Sequence, residues 1–226
     1  MRQFEHPTLM DQAEALAISV SHALELVIRA KGWAVLAVSG GKSPVPMFER
    51  LRYRPIRWNA VTVTLVDERA VPPDHDDSNG ALVRSHLMRE AAALAAFVPL
   101  VQDADEAMQP ERALARLNQA FQQPDVVVLG MGEDGHTASL FPDAPELQAA
   151  LSEPAPAYTV THPGSAPHAR ITLNLAALLA AERTFLSIAG PAKLAVLERA
   201  LAGPTPALPV SLVLARHRHG VDIFRA

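Results

Sequence analysis

The feature that most constrains this chain is a unit that recurs along it: a short, nearly continuous apolar run, then a glycine-bearing or charged turn, then an amphipathic helical pattern. Trp33 to Val38 runs into Ser39-Gly40-Gly41-Lys42-Ser43-Pro44, and Asp125 to Leu129 runs into Gly130-Met131-Gly132-Glu133-Asp134-Gly135-His136. Runs this short and apolar suit parallel strands covered on both faces. Parallel neighbours need a crossover, which a helix supplies. The alternation therefore predicts an α/β fold with a doubly wound, mainly parallel, Rossmann-like sheet and helices on both faces.

The remaining pattern fits that frame. Ala13, Leu16, Ala17, Val20, Leu24, Val27 and Ile28 form one helical stripe, with Asp11 and Glu14 spaced as a capping box and Gly32 as a stop. Ser43 as cap and Pro44 as first residue predict a second helix through Leu51. Val61 to Val66 reads as a strand broken by Asp67-Glu68-Arg69, and Ser78 caps the next helix. Further strands are expected at Phe97 to Val101, Tyr158 to His162, Arg170 to Leu173 and Thr184 to Ala189, with Val221 to Phe224 as a final edge strand. Further helices are expected at Pro110 to Phe121 and around Lys193.

Composition narrows the possible functions. With 226 residues, 49% apolar and 19% charged, one domain spanning residues 1–226 has material for a core. A formal charge of −4 without long blocks of one sign argues against nucleic acid and anionic membranes as partners, so any anion site must be local. The absence of cysteine removes disulfides, thiolate chemistry and Cys-ligated metal. The charged start Met1 to Met10, with Pro7, does not read as a signal peptide, and no run approaches the roughly 18 apolar residues of a membrane span. A cytoplasmic protein, monomeric or a small homo-oligomer, is expected.

Ligands of doubly wound sheets bind outside the carboxyl ends of the strands. Four polar segments follow expected strands and should meet on that rim. The first, Ser39 to Ser43, offers successive backbone N–H groups before a helix, a setting for phosphate, although a plain tight turn reads equally well. The second, Asp67-Glu68-Arg69, places a guanidinium where it can meet an anion or a developing oxyanion; a solvated charged turn is the bland alternative.

In the third segment, His136 has Asp134 two residues away in a loop with three glycines, an arrangement that suits a general base with its orienting carboxylate. The alternative is an ordinary loop histidine, one of nine in the chain. Lys193, after Gly190-Pro191, and Arg170 from a neighbouring strand are candidate phosphate ligands or, singly, surface cations. His217 and His219 lack a nearby third ligand, and Asp74, His75, Asp76 and Asp77 read as a solvated loop, so no metal is expected.

Taken in order and spacing, Ser39-Gly40-Gly41, Asp67-Glu68-Arg69 with Val71-Pro72 and Ser78-Asn79, Gly130 to Pro142, Arg170-Ile171-Thr172 and Gly190 to Lys193 resemble the glucosamine-6-phosphate isomerase/6-phosphogluconolactonase family, and within it the lactonases. The resemblance implies hydrolysis of 6-phospho-D-glucono-1,5-lactone to 6-phospho-D-gluconate in the oxidative pentose phosphate pathway, without a cofactor. It implies His136 as base, Asp134 as its partner, Arg69 held by Asp67 at the oxyanion, and Ser39, Gly40, Gly41, Ser43, Arg170 and Lys193 around the phosphate. Glucosamine-6-phosphate deaminases are the enzymatic alternative, but their Asp-Gly-His loop continues to Asn-Glu-Pro where this chain has Leu140-Phe141-Pro142. A non-catalytic sugar-phosphate sensor is the third reading.

Overall fold

A computed structural model describes residues 1–153 and 156–226. Among these residues ten strands, β1 (Arg2–Glu5), β2 (Ala34–Val38), β3 (Val61–Leu65), β4 (Asp67–Arg69), β5 (Ala96–Phe97), β6 (Val126–Leu129), β7 (Tyr158–Thr161), β8 (Arg170–Leu173), β9 (Arg183–Ile188) and β10 (Val221–Arg225), form two sheets. Seven are joined in the order β1-β10-β9-β6-β2-β3-β5, and every pairing in that sheet is parallel. The other three, β4-β8-β7, form a small antiparallel sheet.

Among the described residues, nine α-helices accompany the strands: α1 (Leu9–Lys31), α2 (Val45–Leu51), α3 (Asn79–His86), α4 (Ala104–Met108), α5 (Pro110–Gln119), α6 (Leu147–Leu151), α7 (Leu175–Leu179), α8 (Pro191–Leu201) and α9 (Pro209–Arg216). The mainly parallel α/β architecture is the one the alternation predicts. Among the described residues no helix is long and apolar enough to cross a membrane.

The centre of the parallel sheet is its most apolar part. All five residues of β2 and all four of β6 are buried, as strands covered on both faces must be. Helix α1 lays Leu16, Ala17, Val20, Leu24 and Ile28 against this sheet. Each fully buried aliphatic side chain of the valine or leucine kind contributes about 1.5–3 kcal/mol. Gln12 on the same stripe is buried and polar, and its amide donates to the carbonyls of Ile188 and Phe224 at 2.7 and 2.6 Å. It closes the ladder where β9 and β10 end.

Several boundaries differ from expectation for identifiable reasons. Helix α1 begins a turn early: Thr8 is its cap, accepting from Asp11 N at 3.1 Å while its hydroxyl reaches Asp11 Oδ2 at 2.7 Å. The cap is Thr8 with Asp11 as its partner, in place of the expected Asp11 with Glu14. Pro44, not Ser43, precedes α2, and no side chain caps it. Ser78 does cap α3, accepting from Ala81 N at 3.0 Å.

The expected strand at Phe97 to Val101 shrinks to Ala96–Phe97. Asp67-Glu68-Arg69 does not break a strand; it is a strand of the second sheet, which also takes the segments expected at 158 and 170. Val221–Arg225 is not the edge either, because β1 pairs outside it.

Candidate active site

Chain order and strand order diverge at one place in the parallel sheet. From β2 the chain moves outward through β3 to β5, then crosses back to β6 on the other side of β2 and continues to β9 and β10. Loops leaving β2 and β6 therefore turn away from each other and open a crevice at the strands' carboxyl ends. A cleft of about 470 Å³ lies there. Its lining includes Ser39, Gly40, Gly41, Ser43, Asp67, Arg69, Asp134, His136, Arg170 and Lys193, so all four polar segments meet in it.

The β2 turn is shaped by its neighbours. Ser39 donates from both its N–H and its hydroxyl to the Val128 carbonyl, at 3.0 and 2.9 Å, which ties the turn to β6. The hydroxyl is thus committed to the scaffold. Gly40 abuts Asn79 so closely that a Cβ would stand 1.8 Å from Asn79 Oδ1, and Gly41 has φ of 83°. Helix α2, which follows, has only seven residues. Lys193, in the first turn of α8, adds a positive charge to the cleft lining.

At the end of β6, His136 Nδ1 lies 2.6 Å from Asp134 Oδ1, which also accepts the His136 backbone N–H at 3.1 Å. Both side chains are about one-third exposed at the cleft wall. Burial pushes the Asp134 carboxyl up, but the hydrogen bond and charge of His136 prevail and hold it below the usual carboxylate range. The loop closes through Gly132 N to the His136 carbonyl at 3.0 Å. Phe141 stacks on the imidazole with ring centroids 4.0 Å apart, which shields one face from water.

The antiparallel sheet contributes the arginines. Arg69 on β4 and Arg170 on β8 are direct cross-strand partners. Like charges placed opposite each other are unfavourable unless an anion offsets them. Among the described residues no carboxylate forms an ion pair with Arg69, Arg170 or Lys193. Burial lowers the Arg170 pKa, Asp67 pulls it back up, and the Arg69 charge lowers it further. The buried Nε of Arg170 has no hydrogen-bond partner.

Asp67 does not hold the Arg69 guanidinium, contrary to expectation. Arg69 Nη1 donates to the Asp77 carbonyl at 2.6 Å and to Asn79 Oδ1 at 2.7 Å, while Asp67 Oδ2 accepts from Ser139 Oγ at 2.6 Å. The start of α3 offers the guanidinium two nearer oxygens. Behind it, buried Glu68 accepts from the backbone N–H groups of Asn79, Gly80 and Arg69 at 2.7, 2.7 and 2.8 Å and from Ser78 Oγ at 3.1 Å. Burial nonetheless raises the Glu68 carboxyl above its ordinary value.

Sequence reasoning missed Asn79 as part of the cleft, together with Glu133, Ser165 and Ser187. Asn79 carried a usable signal, a polar residue just inside a helix beside its capping serine. The serines carried none.

The fold and the cleft define a class: an α/β protein with a histidine–carboxylate pair and, among the described residues, three cations without carboxylate partners at the switch point of a parallel sheet. A family model described as glucosamine-6-phosphate isomerases/6-phosphogluconolactonase matches residues 7–223, and the chain belongs to that family. The 6-phosphogluconolactonase of Neisseria meningitidis serogroup A is 40% identical over 225 residues, covering 98% of this chain and 97% of that one. That of Rhizobium meliloti is 42% identical over 229 residues, covering 100% and 98%. The crystal structure of a 6-phosphogluconolactonase from Shewanella baltica superposes with a TM-score of 0.92 at 37% identity, covering 100% of this chain and 97% of that one.

Proposed function

We propose that this chain, as one catalytic unit in the cytoplasm, hydrolyses 6-phosphoglucono-1,5-lactone to 6-phosphogluconate with His136 as general base. The observation that carries the reading is the 2.6 Å contact of His136 with Asp134 in a cleft that also gathers Arg69, Arg170 and Lys193. The names of the relatives supply the lactone, and the cations that no carboxylate among the described residues neutralises suit its phosphate.

An ionised carboxylate only accepts, so Asp134 requires Nδ1 of His136 to donate and leaves Nε2 with a lone pair. Nε2 takes a proton from water as the water oxygen bonds to the lactone carbonyl carbon. Negative charge moves to the carbonyl oxygen, where Arg69 is the proposed stabiliser. When the bond to the ring oxygen breaks, Nε2 returns the proton to it, and the new acid ionises to a carboxylate. The Gly40-Gly41 turn, Ser43, Lys193 and Arg170 hold the phosphate away from this centre. Phe141, stacked on His136, has no proton to transfer, which favours lactone hydrolysis over sugar-phosphate deamination.

The test is a coupled assay of acid release from the phosphorylated lactone and from unphosphorylated gluconolactone, run beside an assay of ammonia release from glucosamine 6-phosphate. Efficient hydrolysis of the phosphorylated lactone alone is expected. Ammonia release at a comparable rate would reverse the choice of branch, and no turnover of any substrate would leave the sensor reading.

A further inference from the structure

The cleft is assembled from two sheets that are not continuous with each other. The parallel sheet carries Asp134 and His136 after β6, and the antiparallel sheet carries Arg69 and Arg170 on β4 and β8. Chemistry that uses both needs the two sheets held in register.

One connection is Val66, the single residue between β3 and β4, whose N–H donates to the Val38 carbonyl at 3.0 Å and whose carbonyl accepts from Leu173 N–H at 2.8 Å. The three residues after His136 make another, and it is the one that bears on His136. Thr137 Oγ1 donates back to the Gly130 carbonyl at 2.8 Å, anchoring the loop to the end of β6. Ala138 then takes the left-handed conformation, with φ of 48°, which is unfavourable for a residue with a Cβ and persists where surrounding contacts enforce it. Ser139 follows, and each of its polar groups meets a different strand of the other sheet. Its Oγ donates to Asp67 Oδ2 on β4 at 2.6 Å, its N–H to Thr172 Oγ1 on β8 at 3.0 Å, and its carbonyl accepts from Thr161 Oγ1 on β7 at 3.1 Å. Thr137, Ser139, Thr161 and Thr172 are all 0% exposed. Away from water, such bonds are directional and costly to leave unmade.

We propose that Ser139 is a positioning residue for hydrolysis: a pin that sets His136 against the arginine-bearing sheet, with the Asp67 carboxylate as its principal acceptor. The inference rests on His136 being the base. It gives Asp67 a role through Ser139, and it separates two properties of the enzyme. Ser139 lies three residues after His136, while the turn at Gly40-Gly41, Lys193 and Arg170 stand outside that loop, so loosening the pin displaces the His136 loop from the reacting carbonyl while the phosphate contacts stay in place. A displacement on the order of 1 Å lowers turnover by up to about 10²-fold.

The experiment compares wild type, Ser139→Ala, Thr161→Val and His136→Ala. Titration with 6-phosphogluconate counts the binding-competent sites in each preparation, and kcat is expressed per site after subtraction of spontaneous lactone hydrolysis. For Ser139→Ala we expect kcat per site to fall about 10- to 10²-fold with KM and product affinity within about twofold of wild type. Thr161→Val, which removes one tie by a near-isosteric change, should show a smaller fall of the same kind and carries the test if Ser139→Ala yields too few folded sites. A purely structural role would reduce the number of sites and leave kcat per site unchanged, and that result overturns the proposal. His136→Ala keeps the two failures apart. If it retains wild-type kcat, the base assignment fails; if it loses turnover while both pin variants keep theirs, only the pin fails.

Discussion

A histidine acts as a base only when the nitrogen facing its substrate carries the lone pair, and at His136 that choice is made by Asp134, two residues away on the same loop. Because a positioned general base is worth about 10²- to 10⁴-fold, His136→Ala should lower kcat on that scale while product affinity stays close to wild type. A folded variant with nearly wild-type turnover removes histidine from the mechanism. Gly132 offers a second test. A Cβ there would stand 2.3 Å from both Cε1 and Nδ1 of His136 and 2.5 Å from Asp134 Oδ1, so Gly132→Ala should split the pair. We expect a fall in kcat of about 10²-fold in a protein that still binds product, and unchanged kcat would show that the pair tolerates displacement. The loop from Gly130 to His136 was legible because its parts are contiguous in sequence. The roles of Asn79 and Ser139 were not, since both depend on strands brought together only by the fold.

Elements were legible in proportion to how local their signal is. The strands β2 and β6 fall within a residue of expectation because burial on both faces writes itself into the sequence as an apolar run, and β3 does so because its residues before Leu65 are all β-branched. The strand β1 leaves no such trace: three of its four residues are exposed, and its partner β10 lies at the far end of the chain. Helix α9 leaves no helical signature for the opposite reason, since its buried residues run consecutively from Pro209 to Leu214 and erase the amphipathic period. His217, which ends α9, is buried and pairs through Nε2 with Thr184 Oγ1 on β9 at 2.9 Å. Its pKa is lowered first by burial and then by the charges of His219 and Arg218. The unfolded chain therefore binds this proton more readily than the fold does. The contribution is intact above the unfolded histidine value of about 6.5 and is lost as pH falls below it. Urea midpoints of wild type and His217→Gln measured from pH 8 to pH 5 should diverge in that window, with wild type the more acid-sensitive. Parallel curves would exclude His217 as the source.

At the scale of the whole molecule, a chain with a net charge of −4 gathers in one cleft three cations that have no carboxylate partner among the described residues. The parallel architecture and its switch point could be anticipated from the strand–helix alternation; the division of the cleft between two sheets could not, because Asp67-Glu68-Arg69 reads locally as a charged turn and becomes a strand only when β8 pairs with it. That division gives bound product a mechanical consequence. A phosphosugar acid touching Lys193 on one side and the arginines on the other bridges the sheets and relieves the repulsion between Arg69 and Arg170, so it should bind the folded protein and stabilise it. At a concentration 100 times its Kd, a ligand of this kind adds about 2.7 kcal/mol. For a chain of this length that corresponds to a rise in Tm of roughly 5–10 °C, at about 2–4 °C per kcal/mol. Unphosphorylated gluconate at the same concentration should give a much smaller rise, and Lys193→Ala should narrow the gap between the two ligands by weakening the phosphorylated one. The same variant should lose more kcat/KM on the phosphorylated lactone than on gluconolactone, since the missing ammonium acts on the phosphate alone. Equal stabilisation by gluconate and 6-phosphogluconate, or equal losses on the two lactones, would move the phosphate site away from Lys193.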